Sequence, residues 1–412
     1  MKTLILRRYV LCISVVAASL AACAGSQPPI GAPDTMPQDQ PVVTSRAISR
    51  HIGTELSSYR LLYSFGRGSD GQQPYASLID VNSTLYGTTY DGGAYNGGTV
   101  FRVSTTGTEH VLHSFGHGHD GQQPEASLID VNGTLYGTTY EGGSYNAGTF
   151  FSISMNGTEH VLHNFSNLDG VEPVASLIDV NGTLYGTSIG GGRYTYGTVF
   201  SIGNTGTVHV LHSFGDGHGG DFPYASLIDV DGTLYSTTYE GGAYHGHGTV
   251  FSINTTGREH TLHSFGDGHD GAYPAASLID VKGALYGTTT SGGARSIGRG
   301  GTVFSINTTG TEHVLHSFGN GHDGAEPVAS LIDVKGTLYG TTFYGGAYGG
   351  SFEGGTVFSI STTGTEHVLH SFGGKSDGSS PEAGLLDVNG TLYGTTTKGG
   401  TYGDGTIFTL KP

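Results

Sequence analysis

Tryptophan is absent from the 412 residues, and only two cysteines and three methionines occur. Charged residues make up 12%, about half the usual ~25% share. Basic side chains are the scarcer sign, 17 against 34 acidic, for a net charge of −17 with histidines neutral. That imbalance argues against nucleic acid, or an anionic membrane held by a basic face, as a partner. Both cysteines, Cys12 and Cys23, lie in the first 23 residues, so no disulfide staples the rest and packing alone must stabilise it. Abundance points the same way as scarcity. The 73 glycines, about 18% of the chain, disfavour long helices, while 24 Tyr and 18 Phe supply a real core and argue against disorder.

Lys2, Arg7 and Arg8 precede an apolar stretch from Tyr9 to Ala22, too short to span a bilayer and suited to a signal-peptide core. It ends on Leu20-Ala21-Ala22-Cys23, which resembles the lipobox of bacterial lipoproteins. The resemblance implies cleavage before Cys23 and a diacylglyceryl group on its sulfur; the rival is an ordinary signal peptide with a cysteine near its cleavage region. Pro28, Pro29, Pro33, Pro37 and Pro41 then punctuate a polar stretch that reads as an extended spacer. The expected organisation is a signal peptide over 1–22, a lipidated cysteine and tether over 23–58, and a folded region over 59–412. Export and lipid anchoring at the outer membrane or cell surface follow as the expected localisation, with the membrane as a partner through the lipid.

From about residue 58 onward the chain repeats itself. Gly-Thr-Val-Phe or a near variant begins at Gly98, Gly148, Gly197, Gly248, Gly301, Gly355 and Gly405, at intervals of 49 to 54 residues. Between these strings recur Pro-x-Ala-Ser-Leu-Ile-Asp-Val, a turn pair such as Asn132-Gly133, Thr-Leu-Tyr-Gly-Thr-Thr, and Glu-His-Val-Leu-His-Ser-Phe. Each copy holds four short β-prone segments bounded by turn residues, the pattern of a four-stranded antiparallel unit. Seven such units predict an all-β, seven-bladed propeller, because radial stacking covers both faces of every sheet. The ends predict closure. Tyr59 to Phe65 is an orphan fourth segment, and the chain stops after Gly405-Thr406-Ile407-Phe408 without one, so the orphan can complete the last blade. The innermost strand is not fixed by the sequence.

The Gly-Thr-Val-Phe units resemble the bacterial GloVer (Gloeo/Verruco) tandem repeats over residues 59–412. The resemblance implies an exported, surface-anchored repeat protein and supplies no catalytic residues. The double glycines are also kelch-like, but the tryptophan expected of kelch, WD and Asp-box propellers is missing in every copy.

Connections alternate tight and long, which puts both long loops of every unit on one face of the disc, where binding sites on rigid scaffolds concentrate. The first long loop carries Asp91, Glu141 and Glu240 beside Tyr95, Tyr145 and Tyr244. Tyr194, Tyr348 and Tyr402 occupy the same place in three further copies, and Arg295 in the fifth. Tyrosines beside carboxylates suit stacking on sugar rings and hydrogen bonding to hydroxyls; packing against a neighbouring blade is the competing reading. The second long loop carries Asp70, Asp120, Asp169, Asp270, Asp323 and Asp377, with Gly219 in the fourth copy. One or two carboxylates per loop fall short of a calcium loop, so turn chemistry is preferred to a metal site, and no cofactor is expected.

Twelve of the 20 histidines form pairs such as His110 and His113. A spacing of three on a strand puts the two on opposite faces, so a pair cannot chelate one ion. Bonds to neighbouring backbone or Ser/Thr groups are expected instead, with sensitivity to acid as a corollary. The aspartates of Leu-Ile-Asp-Val should reach the N–H groups of the adjacent turn; a ring of carboxylates along the axis is the alternative. No nucleophile, base and acid stand out, because each candidate recurs. The singular features are Arg193, Arg295, Arg299, Lys375 and enlarged loops near 291–300 and 345–354. The expected function is a monomeric, lipid-anchored scaffold binding a carbohydrate or protein ligand. The alternatives are a hydrolase or lyase acting at the channel mouth and a spacer without a ligand.

Overall fold

The computed structural model describes residues 58–412 apart from 218, 245, 295–299, 321, 349–353 and 374–375. The proposed signal peptide, the lipidated Cys23, the tether up to residue 57 and Arg295 lie outside the described residues. Glu55–Pro412 forms one compact unit, and among its described residues every regular element is a strand. Seven four-stranded antiparallel sheets stand in a ring, a seven-bladed propeller.

The first blade runs, from axis to rim, β2 (Ile79–Val81), β3 (Thr84–Thr89), β4 (Thr99–Ser104) and β5 (Glu109–Ser114). The Ile-Asp-Val strands are innermost, since they are the ones that meet from blade to blade around the axis. Their turns need a left-handed residue first, and Asn132, Asp231 and Lys282 all adopt φ between 53° and 57° there. Asp130, Asp179, Asp280, Asp333 and Asp387 cap these turns, as expected: Gly133 N–H donates to Asp130 at 3.0 Å, and Gly336 N–H to Asp333 at 2.8 Å.

β1 (Ser58–Ser64) is the outermost strand of the last blade, pairing antiparallel with Thr406–Lys411. Tyr59 stacks on His370 of the sixth blade, with ring centroids 4.0 Å apart, and its hydroxyl donates to the Asp377 carbonyl. The orphan segment thus seals the ring and covers an edge.

The core is divided among seven seams rather than gathered in one place. At the first seam Tyr86, Val100 and Phe115 from one blade meet Leu128, Leu135, Phe151 and Ile153 from the next, all buried. Each fully buried phenylalanine contributes about 2–3 kcal/mol of hydrophobic stabilisation. Polar groups stitch the same seams. The Thr138 hydroxyl donates to the Pro173 carbonyl at 2.9 Å, and its counterpart Thr88 to the Ala126 carbonyl at 3.2 Å.

The second histidine of a pair does not bond to backbone or hydroxyls, as its sequence suggested. His113 Nε2 lies 3.1 Å from Asp120, His163 2.7 Å from Asp169, His263 3.0 Å from Asp270, and His370 3.2 Å from Asp377. The second oxygen of Asp120, Asp169 and Asp270 takes a loop N–H, that of Gly116 on Asp120 at 3.1 Å for instance, whereas Asp377 Oδ1 is buried without a hydrogen bond. The turn folds the aspartate back over the strand it has just left, a contact that strand periodicity alone does not reveal. In β1, Tyr63 stands where the others have histidine and donates to Asp70 at 2.6 Å.

Candidate functional site

The residue preceding each recurrent proline is left-handed, with φ of 55° to 58°, in all seven copies: Gln73, Gln123, Glu172, Phe222, Tyr273, Glu326 and Ser380. None is glycine, so each carries a backbone cost of about 1–2 kcal/mol. The seams hold them there. Gln123 N–H donates to Gly97 O of the preceding blade at 2.7 Å, and Gln123 O accepts from Tyr140 N–H of its own blade at 3.0 Å. Tyr273 repeats this with His247 O at 2.7 Å and Thr290 N–H at 3.2 Å.

This kink delivers the next segment, Pro-x-Ala-Ser, to the axis. The x residues Tyr75, Glu125, Val174, Tyr224, Ala275, Val328 and Glu382 line an open cavity of about 450 Å³ at the centre of the ring, together with the alanines and serines that follow. The serines form a belt: Ser127 N–H donates to Ser176 Oγ at 3.0 Å, Ser176 to Ser226 at 2.9 Å, and Ser226 to Ser277 at 2.9 Å. Gly384 stands in the belt's seventh place.

The mouth is not uniform around its circumference. Aromatic rings gather on one arc, where Tyr224 meets Tyr239 edge-on at 5.5 Å and Tyr239 lies 4.9 Å from Tyr273. Carboxylates gather on the other. Burial pushes Glu125 up to about 8, and repulsion from Glu172 and Glu141 adds to the shift. Glu382 also rises to about 8 through burial; the Thr397 hydroxyl opposes this, Glu125 reinforces it and Lys398 opposes it. Thr397 donates to Glu382 Oε1 at 3.1 Å, while Glu382 Oε2 is buried without a hydrogen bond. Tyr75, in the intervening blade, crosses Tyr90 edge-on at 5.2 Å.

The loop residues singled out by the sequence separate into two groups. Asp91 is half-buried and hydrogen-bonded to Gln123 of the next blade; burial raises its pKa and that bond moderates the rise. Glu141 acts on Glu125 in the mouth, and the exposed Glu240 faces Asp221. The tyrosines lie at the rim instead. For the five other than Tyr95, the residue before is tied to the end of the outermost strand, as Ala243 N–H is to Ser264 Oγ and Ala347 N–H to Ser371 Oγ, both at 3.1 Å. Tyr95, Tyr145, Tyr194, Tyr244, Tyr348 and Tyr402 are all exposed, from 37% at Tyr194 to 75% at Tyr348. Arg193 lies over the Tyr194 ring at 5.4 Å. The rim tyrosines therefore form a spaced circle rather than one pocket.

The mouth residues escaped a search for recurring motifs because their signal is the opposite one. Around the axis the x of Pro-x-Ala-Ser and the residue after Gly-Thr-Thr change from copy to copy, while the strands that carry them hardly vary. Among the described residues no group of three His, Cys, Asp or Glu is arranged to hold a metal ion.

The model of the Gloeobacter/Verrucomicrobia repeat family matches residues 51–245 and 190–408. No curated protein matches the chain in sequence. Virginiamycin B lyase from Staphylococcus aureus is similar in structure, with a TM-score of 0.53 and 13% identity over 86% of this chain and 99% of that one. Quinohemoprotein alcohol dehydrogenase from Comamonas testosteroni aligns with a TM-score of 0.52 and 11% identity, over 85% of this chain and 76% of that one. These likenesses show a shared ring architecture and nothing of chemistry.

Proposed function

The chain belongs to the Gloeobacter/Verrucomicrobia repeat family, and on that premise we propose an exported, lipid-anchored propeller that binds a ligand, a glycan foremost, on its long-loop face. The observation that carries this reading is that the side chains at equivalent places around the axial mouth differ from copy to copy while the strands that carry them hardly vary. Seams that recur sevenfold need only pack, whereas side chains that differ at equivalent places around one cavity suit an asymmetric guest. Tyrosines beside carboxylates supply flat apolar surface and hydrogen-bonding groups together, the combination a sugar ring uses. The rim tyrosines offer further, separate contacts for an extended polymer or a protein, and several weak contacts on one rigid face add as avidity.

A glycan array probed with the full-length chain tests the proposal. Binding that falls at least about tenfold in Tyr224→Ala or Tyr239→Ala supports it, a loss in the range of one good aromatic contact. An array without a hit, with and without calcium, overturns the glycan form.

One observation favours a hydrolase or lyase as the second reading. Glu125 and Glu382 line the same cavity, and a carboxyl held near neutrality suits a general acid. Turnover of an array-positive glycan, abolished by Glu125→Gln or Glu382→Gln, distinguishes it from simple binding.

A further inference from the structure

Glu125 and Glu382 project into the axial cavity from the second and seventh blades, on either side of Tyr75 in the first. Glu382 Oε2 is enclosed by protein and makes no hydrogen bond. Buried carboxylates are ordinarily paired. The groups acting on this pair are Glu141 and Glu172 beside Glu125, and Thr397 and Lys398 beside Glu382. Tyr140 adds its hydroxyl, hydrogen-bonded to Glu172. Among the described residues Lys398 is the one cation acting on either carboxylate, and it is itself exposed. The arc thus carries several carboxylates, one open acceptor and aromatic faces beside them.

We propose that the mouth recognises its ligand through an ammonium group, seated between the carboxylates of Glu125 and Glu382 and against the Tyr75 ring. The inference rests on the mouth being the ligand site. An ammonium has three donors, enough to fill the open acceptor on Glu382 and bond Glu125, while an aromatic face adds cation–π attraction. Amino sugars and aliphatic polyamines share this chemistry, and the two sources are separable by experiment.

Seating the cation requires both carboxyls to ionise. In the free protein burial pushes both up to about 8, so each is mostly protonated at neutral pH. Binding at neutral pH therefore releases protons, and affinity for a permanently charged amine rises as pH climbs toward 8. A neutral ligand that accepts hydrogen bonds from protonated Glu125 and Glu382 shows the opposite trend.

The test is calorimetric titration of the full-length chain in about 0.15 M salt, which screens long-range attraction by an acidic protein. Spermidine serves for the pH series, from about pH 6 to about pH 8.5. A β-1,4-linked glucosamine oligomer and its fully N-acetylated counterpart are compared at about pH 6. The expected result is spermidine or glucosamine binding with proton release, strengthening at least tenfold across the pH series for spermidine. Glu125→Gln/Glu382→Gln abolishes that pH dependence and weakens binding by roughly a further tenfold, each pKa unit being a factor of ten. Binding of the glucosamine oligomer alone assigns an amino sugar, and binding of both amines assigns ammonium groups generally.

Equal binding of the N-acetylated oligomer, lost in Tyr224→Ala, overturns the ammonium inference and leaves the mouth as the ligand site. Amine binding unchanged in the double variant overturns it too, as does silence from every probe. Melting of Glu125→Gln/Glu382→Gln that is no lower than the parent's separates lost recognition from lost folding.

Discussion

The Thr395 hydroxyl donates to the Pro74 carbonyl at 3.1 Å, joining residues 321 apart in the chain. It is the same bond that Thr138 makes to Pro173 between the second and third blades, so the closing seam is built like an interior one. β1 completes it from outside, with Tyr63 and Phe65 in the cluster shared by the last and first blades.

Starting the chain at Gly66 removes β1 and Phe65 and bares the edge of Thr406–Lys411. Loss of the buried Phe65 and the half-buried Tyr59, Leu61, Leu62 and Tyr63 should cost more than about 4 kcal/mol. Thermal or urea unfolding reads this directly, and an unchanged midpoint would refute closure as a source of stability. Concentration-dependent association should accompany the loss, because an unpaired edge recruits strands.

Mild acid should stabilise the ring, which reverses the expectation drawn from its histidines. Burial raises Glu109, Glu159 and Glu312 to about 7; like charge from Asp70, Asp120 and Asp270 respectively adds to it, while His113 opposes it at Glu159 and His263 at Glu312. Their folded pKa lies above the unfolded value, so the folded state binds the proton more tightly. Stability is full below about pH 4.5 and declines as pH rises toward 7. For Asp169, burial pushes upward, but the His163 and Ser166 hydrogen bonds outweigh it and the net shift is down. Its contribution is lost only below about pH 4. Tm is therefore expected to be higher at pH 5 than at pH 8. Glu159→Gln should raise Tm at pH 8 and flatten this dependence, since Glu159 Oε1 is buried without a hydrogen bond.

Ser83 occupies the second turn position with φ of 65°, where the six other copies carry glycine at φ of 80° to 88°. Nothing lies within 4 Å of a Cβ at the equivalent Gly133 or Gly182, so the burden there is conformational rather than steric. Ser83→Gly is expected to stabilise by up to about 1 kcal/mol, measured as a shift in urea midpoint at constant slope.

His212 lacks the loop aspartate of its counterparts, because Gly219 stands at that place. Burial lowers its pKa, with Asp216 opposing. Gly219 has no left-handed φ, and a Cβ there meets only a Glu259 oxygen at 3.9 Å. Gly219→Asp should therefore restore the carboxylate and raise the His212 pKa, read by NMR titration. A His212 titration that does not move would refute the restored pairing.

The blades were legible because a fifty-residue period with four turn-bounded segments admits few architectures, and Tyr59 to Phe65 had to go somewhere. Innermost order was not, since any of the four segments could face the axis until the Ile-Asp-Val strands proved short enough to converge. The mouth was hidden by the habit of reading repetition as meaning. Tyr95 and its equivalents recur and lie at the rim, whereas Glu125 becomes Val174 and then Tyr224 at one structural position. The histidine partners were missed because a chain reversal brings Asp120 back over His113, and strand geometry says nothing about reversals.

The direction of β1 sets how the disc presents itself. Every outermost strand climbs from the tight-turn side to the long-loop side, so Ser58 stands on the tight-turn side, next to Lys411. The described chain therefore enters the disc at Ser58 on the tight-turn side, the face opposite the one that carries the long loops.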